Sequence, residues 1–493
     1  MPQSRRAPRS LSRPAARTAR LALALLPWAL AACAGAGPRH AGADLYHGFA
    51  LVDPEAERIV DEAYLLVRDG RIVELGHGAP PADVAPAQRH DMRGTYALPG
   101  LFDTHAHITS GPHKVELHDG APRIGIESVD AITRHHARTA LAFGVTTVRN
   151  PGGDPVANAR YDARIAAGEW IGPEAVHAGA VIQPPPFGGS AFAYPRSEAE
   201  WDAEAARQAG LGMRYFKLYT DLSREELAAG VRAARRHGLK PIAHLNAVGW
   251  TEAARLGIAG LEHALPTSPD LLEPEAKATY EAGLGPDNRY IHRWFELADF
   301  DGPRIREMLR VLAEREVEVS TTLVVNELVA NVDDLDRAYP PRDRAYAHPE
   351  TMDAALTFLQ AGRMDEEDHR RARAALPKAM ELVRRLHAAG VPILIGTDGN
   401  GGGPLLAREL DLHVQAGIPA WEVLRLVTSG AAARLGIGER TGRLAAGMEA
   451  DIVFLRANPA EDVRRVREVA TVVSDGRMHR FEDLVAPERQ EAL

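Results

Sequence analysis

Between residues 96 and 435, apolar β-like segments alternate with stretches of helical period, and this alternation constrains the fold more than any other feature of the chain. Candidate strands are Gly144–Arg149, Tyr215–Tyr219, Pro241–His244, Gly260–Glu262, Val317–Leu323 and Pro392–Gly396. Helical patterns such as Arg224–His237 and Pro377–Ala389 lie between them. A strand followed by a helix returns to the sheet parallel to its predecessor. So many such units in one span predict an α/β fold, a closed (β/α)8 TIM barrel. The polar segment 331–373 contains Tyr339-Pro340-Pro341 and then turns strongly helical, which reads as an insertion after a late strand, placed over the barrel mouth. No internal repeat of fixed period is visible.

The flanks read differently. Ala63–Val67 and Arg71–Leu75 surround Asp69-Gly70, and Asp451–Leu455 and Thr471–Ser474 are followed by Asp475-Gly476, two hairpin signals at opposite ends of the chain. Residues 44–95 and 436–485 are therefore expected to form one small β-sandwich domain assembled from both termini.

Arg5, Arg6, Arg9, Arg13, Arg17 and Arg20 precede an apolar run from Leu21 to Ala32, and no acidic residue falls before Asp44. That is the layout of a secretory signal peptide over residues 1–32, too short in its apolar part to span a bilayer. Leu30-Ala31-Ala32-Cys33 resembles a bacterial lipobox, so Cys33, the single cysteine, is expected to be lipidated, with residues 33–43 as a tether. The expectation is an exported protein of the periplasm or outer membrane, held to the membrane by that anchor alone. A soluble protein cleaved nearby is the alternative. The formal net charge is −9, and loss of the six leader arginines would leave about −15. So acidic a surface argues against nucleic acid and anionic lipid as partners. The expected partner is a small molecule or dipeptide, and homo-oligomer formation is compatible with this reading.

The chemistry begins at Ala97-Leu98-Pro99-Gly100-Leu101-Phe102-Asp103-Thr104-His105-Ala106-His107. Read as one strand, it turns His105 and His107 to the same side, where two imidazoles can share a metal. "ALPGLFDTHAH", "GVTTVRNPGG" at 144–153, "GTDGN" at 396–400 and "GRLAAGMEADIVFL" at 442–455 resemble the amidohydrolase superfamily over nearly the whole mature chain. Among its members, the prolidase-like, arginine-carboxypeptidase-like and imidazolonepropionase-related group is the nearest resemblance. Asn150 stands where many relatives carry Asp, and no metal role is expected of it.

The resemblance implies two divalent metal ions, zinc foremost. His105, His107 and Asp398 would hold the more buried one and His244 and His263 the outer one. Carboxylated Lys217 and a hydroxide would bridge them. Each further residue also has its own reading. Lys217 lies in an apolar β-like run, where burial would favour a neutral amine able to take up carbon dioxide, although an outward lysine reaching water would look the same. His244 and His263 each close an apolar segment, as a ligand or a satisfied core histidine would. Asp398 precedes glycines that allow close backbone approach; a helix N-cap or turn aspartate is the alternative. By resemblance Asp398 is the general base and then the general acid.

The reaction implied is hydrolysis of a C–N amide bond in a dipeptide or N-acyl amino acid. Tyr219 and His113 are candidates for the substrate carboxylate, with Arg149 and Arg214 as weaker sources of charge. His118, His135 and His136 read as surface residues. Other amidohydrolase reactions (a cyclic amide, a lactone, a deamination) and a non-catalytic binding lipoprotein are the alternatives. No phosphate loop or Ser-His-Asp or Cys-His arrangement is legible.

Overall fold

The computed structural model describes residues 40–118, 121–284, 289–360 and 364–486. The arginine-rich leader, most of the tether and Cys33 lie outside the described residues.

Both ends of the chain meet in one sheet. Strands Asp44–Asp53, Arg58–Arg68 and Arg71–His77 form its first half, Ile452–Leu455, Val469–Ser474 and Arg477–Arg480 its second. Tyr96–Pro99 joins them, pairing antiparallel with Ile452–Leu455 and parallel with the first strand. With Arg89–Asp91, which pairs with the first strand, these form a single continuous eight-stranded sheet, in which the joining strand merges the two terminal fragments edge to edge. Tyr46, Phe49, Leu65, Ile452, Phe454 and Val473 pack its buried face. Both hairpin turns carry left-handed backbone at each central residue, Asp69 (φ 51) and Gly70 (φ 73), Asp475 (φ 49) and Gly476 (φ 72). This is the turn whose twist matches its flanking strands.

Eight parallel strands follow in chain order: Leu101–Asp103, Val145–Asn150, Glu174–His177, Tyr215–Leu218, Lys240–Ala243, Gly260–Glu262, Glu318–Ser320 and Ile393–Leu394. The first three pair in one sheet and the last five in another. At the seams the ladder is reduced to the single bridges Ala178–Tyr215 and Ala106–Gly399 and to bonds such as Thr104 N–H to the Ile395 carbonyl at 3.0 Å. The fold is TIM-barrel-like, with a ring less regular than the closed ladder expected. Helices cover it in the usual βα alternation, and Arg224–Arg236 starts from a full capping box, Ser223 with Glu226.

Two boundaries moved. Tyr96–Pro99 belongs to the terminal sheet, and Gly100 marks the passage into the barrel, where a Cβ would lie 2.0 Å from Thr146 Oγ1. The helix expected to begin at Pro377 starts at Glu366 and runs to Ala388. Its capping box, Asp365 with Asp368, and its buried Ala372, Ala375, Ala379 and Leu382 outweigh the one hydrogen bond that an interior proline removes. The insertion is thus three short helices, Leu335–Ala338, Pro341–Arg344 and Pro349–Gln360, running into the first turns of that long helix.

Candidate active site

The first barrel strand stops at Asp103, so His105 and His107 sit beyond it rather than on its pleat. Asp103 replaces the missing ladder. Its Oδ1 accepts the N–H groups of His105 and Thr397, each at 3.1 Å, and its Oδ2 accepts the Thr397 hydroxyl at 2.6 Å. The Asp398 N–H donates to the His105 carbonyl at 2.7 Å. Only glycine fits at 396, where a Cβ would lie 2.4 Å from that of His105. The ends of the first and eighth strands are thereby locked together.

This lock directs three ligand-type atoms at one point. His107 Nδ1 lies 2.9 Å from the Gly152 carbonyl, and His105 Nδ1 lies 2.8 Å from Glu262 Oε2. The Gly152 carbonyl can only accept, so in its neutral form the His107 ring carries its proton on Nδ1 and presents a lone pair at Nε2. Both Nε2 atoms face the same oxygen, Asp398 Oδ1, at 3.1 and 3.2 Å. Both ring nitrogens of His105 are buried without a hydrogen bond, and although burial disfavours a charge there, Asp398 and Glu262 raise its pKa. Two imidazole nitrogens converging on one carboxylate oxygen form a donor set that suits a cation. The ligand-type atoms of His105, His263 and Asp398 lie within 4.8 Å of one another, a spacing that fits a metal ion.

His263 follows the sixth strand and His244 the fifth. Their rings are 4.4 Å apart, centre to centre, and His263 stands 4.7 Å from His105. Both ring nitrogens of His244 are buried without a hydrogen bond. Burial, reinforced by Lys217, pushes its pKa down to about 3, so the ring is a neutral donor. Lys217, on the fourth strand, is buried, with Nζ 5.8 Å from the centre of the Tyr219 ring. Desolvation lowers its pKa to about 8 against the pull of Glu262 and Asp398.

Glu262 is a functional residue the sequence reading missed. Its two oxygens accept from both terminal nitrogens of Arg149 at 2.8 and 2.7 Å, and pair and partner are about 1% exposed. Burial opposes the charge, but Arg149, Lys217 and His105 hold the Glu262 carboxyl well below the usual range. A signal existed: an acid directly before His263 in an apolar strand must find a buried cation. Arg149, expected near the substrate, sits beneath the site as that cation, and Arg214 is exposed at the start of its strand, away from the mouth. Thr322 was missed as well; its Oγ1 lies 2.9 Å from His263 Nδ1. Asn150 spends its amide on Thr109, Asn158, His177 and the Gly152 N–H.

Above these groups lies a cavity of about 380 Å³. Tyr219 and His113 both line it, His113 as the first residue of a β-hairpin strand, His113–His118, rather than in a loop. His135 and His136 are not the surface residues expected. His136 is buried, and both line the cavity where the helix Asp130–Ala142 meets His348 of the insertion. The side chain of His118 lies outside the described residues.

A profile of the Amidohydrolase family matches residues 96–478. The chain belongs to this family. It is an amide-hydrolysing enzyme. It is similar to an imidazolonepropionase of Cupriavidus pinatubonensis, 27% identical over 471 residues, covering 87% of this chain and 92% of that protein. An imidazolonepropionase of Saccharopolyspora erythraea is 34% identical over a shorter stretch of 155 residues, 27% of this chain and 38% of that protein. In fold, this amidohydrolase resembles a Xaa-Pro dipeptidase crystallised with methionine in its active site, with a TM-score of 0.64 at 20% identity, covering 89% of this chain and all (100%) of that one. It also resembles an Aspergillus niger ochratoxinase, with a TM-score of 0.61 at 18% identity, covering 92% and 100%.

Proposed function

We propose that this amidohydrolase cleaves the C–N bond of a dipeptide or N-acyl amino acid at a site for two divalent metal ions, zinc foremost. The observation that carries the reading is the convergence of two imidazole nitrogens on one carboxylate oxygen beside two further buried histidines. His105, His107 and Asp398 would hold one ion and His244 and His263 the other, with Lys217, as its carbamate, between them. Such ions, when bound, acidify a water and polarise a substrate carbonyl.

The rest falls to the chain itself. Asp398 takes a proton from the attacking water as oxygen adds to the carbonyl carbon, then delivers it to the leaving nitrogen as the C–N bond breaks. Arg149 and Glu262 keep His105 oriented from below. Tyr219 and His113 stand where they can donate to the substrate carboxylate. The lowered pKa of Lys217 supports carbamate formation, because the neutral amine is the form that attacks carbon dioxide. A cyclic amide is the second reading, favoured by the imidazolonepropionases among the relatives. We also propose export through the arginine-rich leader with lipidation at Cys33, in which case Cys33→Ser releases the protein from membranes.

The test is elemental analysis of protein produced without the leader and with bicarbonate present. About two metal ions per chain are expected, as in two-metal hydrolases, with a sharp fall in Lys217→Ala. One ion per chain, indifferent to Lys217, overturns the two-metal reading.

A further inference from the structure

The cavity above the site has walls of a definite chemistry. On one side, aromatic rings form a continuous path from the outside inward: Phe192 to Phe187 at 5.1 Å, Phe187 to Tyr219 at 6.3 Å and Tyr219 to His244 at 5.0 Å between centres. On the other side, Val325, Met352 and Leu356, from the helices Leu323–Asn331 and Pro349–Gln360, face the same space. These side chains are half-buried and border the opening rather than filling the core.

The charged groups of this chamber point to the same class of ligand. Away from Lys217 and Asp398, the described residues of its wall include one lysine or arginine and one carboxylate, Arg408 and Glu327, and these are spent on each other, Nε to Oε2 at 2.8 Å and the second nitrogen to Oε1 at 2.5 Å. Arg408 also binds Asp411. Burial, aided by His135, lowers His136 to about 3 and lowers His348 as well, so neither supplies a counter-ion. A charged side chain packed against the Phe187 and Phe192 wall would lose its hydration and find Arg408 and Glu327 already paired. An aromatic one would find faces and edges to pack on. About 380 Å³ is ample for such a group beside a scissile amide.

We infer that the chamber selects substrates with a bulky, uncharged, apolar side chain, aromatic before aliphatic, and that Phe187 and Phe192 form the selecting wall. The inference rests on the amide-hydrolase reading of the site beneath, and it is tested through binding as well as turnover. The probes are N-acetyl-L-phenylalanine, N-acetylglycine and N-acetyl-L-aspartate, offered to the metal-loaded protein. Titration calorimetry reads binding, and release of the free amino acid reads hydrolysis.

Burial of one benzyl group should favour the phenylalanine derivative over the glycine one by about tenfold or more. The aspartate derivative should bind weakest. Phe187→Ala and, separately, Phe192→Ala should each shrink the phenylalanine-to-glycine ratio, and a folded example of either suffices. Equal binding of the three probes, tightest binding of the aspartate derivative, or no binding of any overturns the inference. So does a full ratio retained in both variants. Selective binding without hydrolysis would support the chamber while removing the amide-hydrolase reading, and hydrolysis without selectivity would do the reverse.

Discussion

The terminal sheet and the barrel mouth put the same backbone conformation to different uses. In the sheet, two hairpin turns place left-handed backbone at Asp-Gly pairs, Asp69-Gly70 and Asp475-Gly476, where it costs least, and Glu57 and Glu62 adopt it away from any functional group. At the mouth, left-handed backbone falls on Gly401, Gly402 and Gly403 but also on His263 (φ 66), Thr322 (φ 47) and Asp398 (φ 58), one of them β-branched. The sheet buries Phe49, Phe454 and Tyr46 in ring-to-ring contact, whereas the mouth buries His105 Nε2 and both nitrogens of His244 without hydrogen bonds. One region is optimised for folding. The other holds strain and unsatisfied polar atoms at the place where chemistry is to happen, supported by the packed structure around it.

Substitutions can break that contrast. Asp398→Asn removes the proton carrier and should cut kcat by about 10²–10⁴-fold. It should leave the melting temperature of metal-free protein equal or higher, because an amide N–H can donate to the Nε2 lone pair of His107. A variant that melts well below the parent while retaining activity would reverse the assignment. Phe454→Ala is the mirror experiment. Deleting a fully buried ring should cost roughly 3–5 kcal/mol by denaturant titration, with the turnover of the folded fraction unaffected. Loss of activity in that folded fraction would show the two regions to be coupled.

A smaller effect sharpens the division within the mouth. Glu262→Gln offers one acceptor where Arg149 and His105 present three donors, so an amide N–H must oppose one of them. Metal affinity should fall by about 10–100-fold, as for other lost carboxylate supports of a ligating histidine, with a shifted absorption spectrum in the Co²⁺-substituted protein. Unaltered affinity and spectrum would reduce Glu262 to a structural ion partner.

The smallest effect concerns pH and Glu409. This carboxyl accepts the N–H groups of Leu323 and Val324 at 2.9 and 2.7 Å, anchoring the helix that follows Thr322. Burial nonetheless pushes its pKa up to about 8. The native state thus favours the protonated form, so its stabilising contribution is complete below the unfolded pKa of about 4.3 and is lost as pH rises to about 8. Glu409→Gln should therefore show a shallower decline in melting temperature between about pH 5 and 8. An unchanged slope would place the raised pKa elsewhere.

Much of this was legible in the chain. Asp-Gly pairs between alternating strands announced both hairpins, because their turn chemistry is local. Ser223 and Glu226 announced a helix start for the same reason. His105, His107, Lys217, His244, His263 and Asp398 could be named, and the structure gathers them at one end of the barrel. Less legible was anything set by partners distant in sequence. Glu262 and Arg149 are 113 residues apart, and neither announces the other. His136 looked like a surface residue because its burial comes from an insertion more than two hundred residues onward, through Thr351 at 3.4 Å. The joining of the two terminal fragments through Tyr96–Pro99 was not legible, because edge pairing depends on which strands meet.

By itself, then, the sequence determined the elements and the order of barrel and flanks, since propensity, turn chemistry and periodicity act over a few neighbouring positions, while the candidate ligand set came from the family resemblance. Tertiary structure alone decided that two imidazole nitrogens face one oxygen of Asp398, that Arg149 serves Glu262 rather than a substrate, and that aromatic and aliphatic walls enclose the approach. Those outcomes depend on ångström-scale distances between segments far apart in the chain, and they are settled only when the whole core packs.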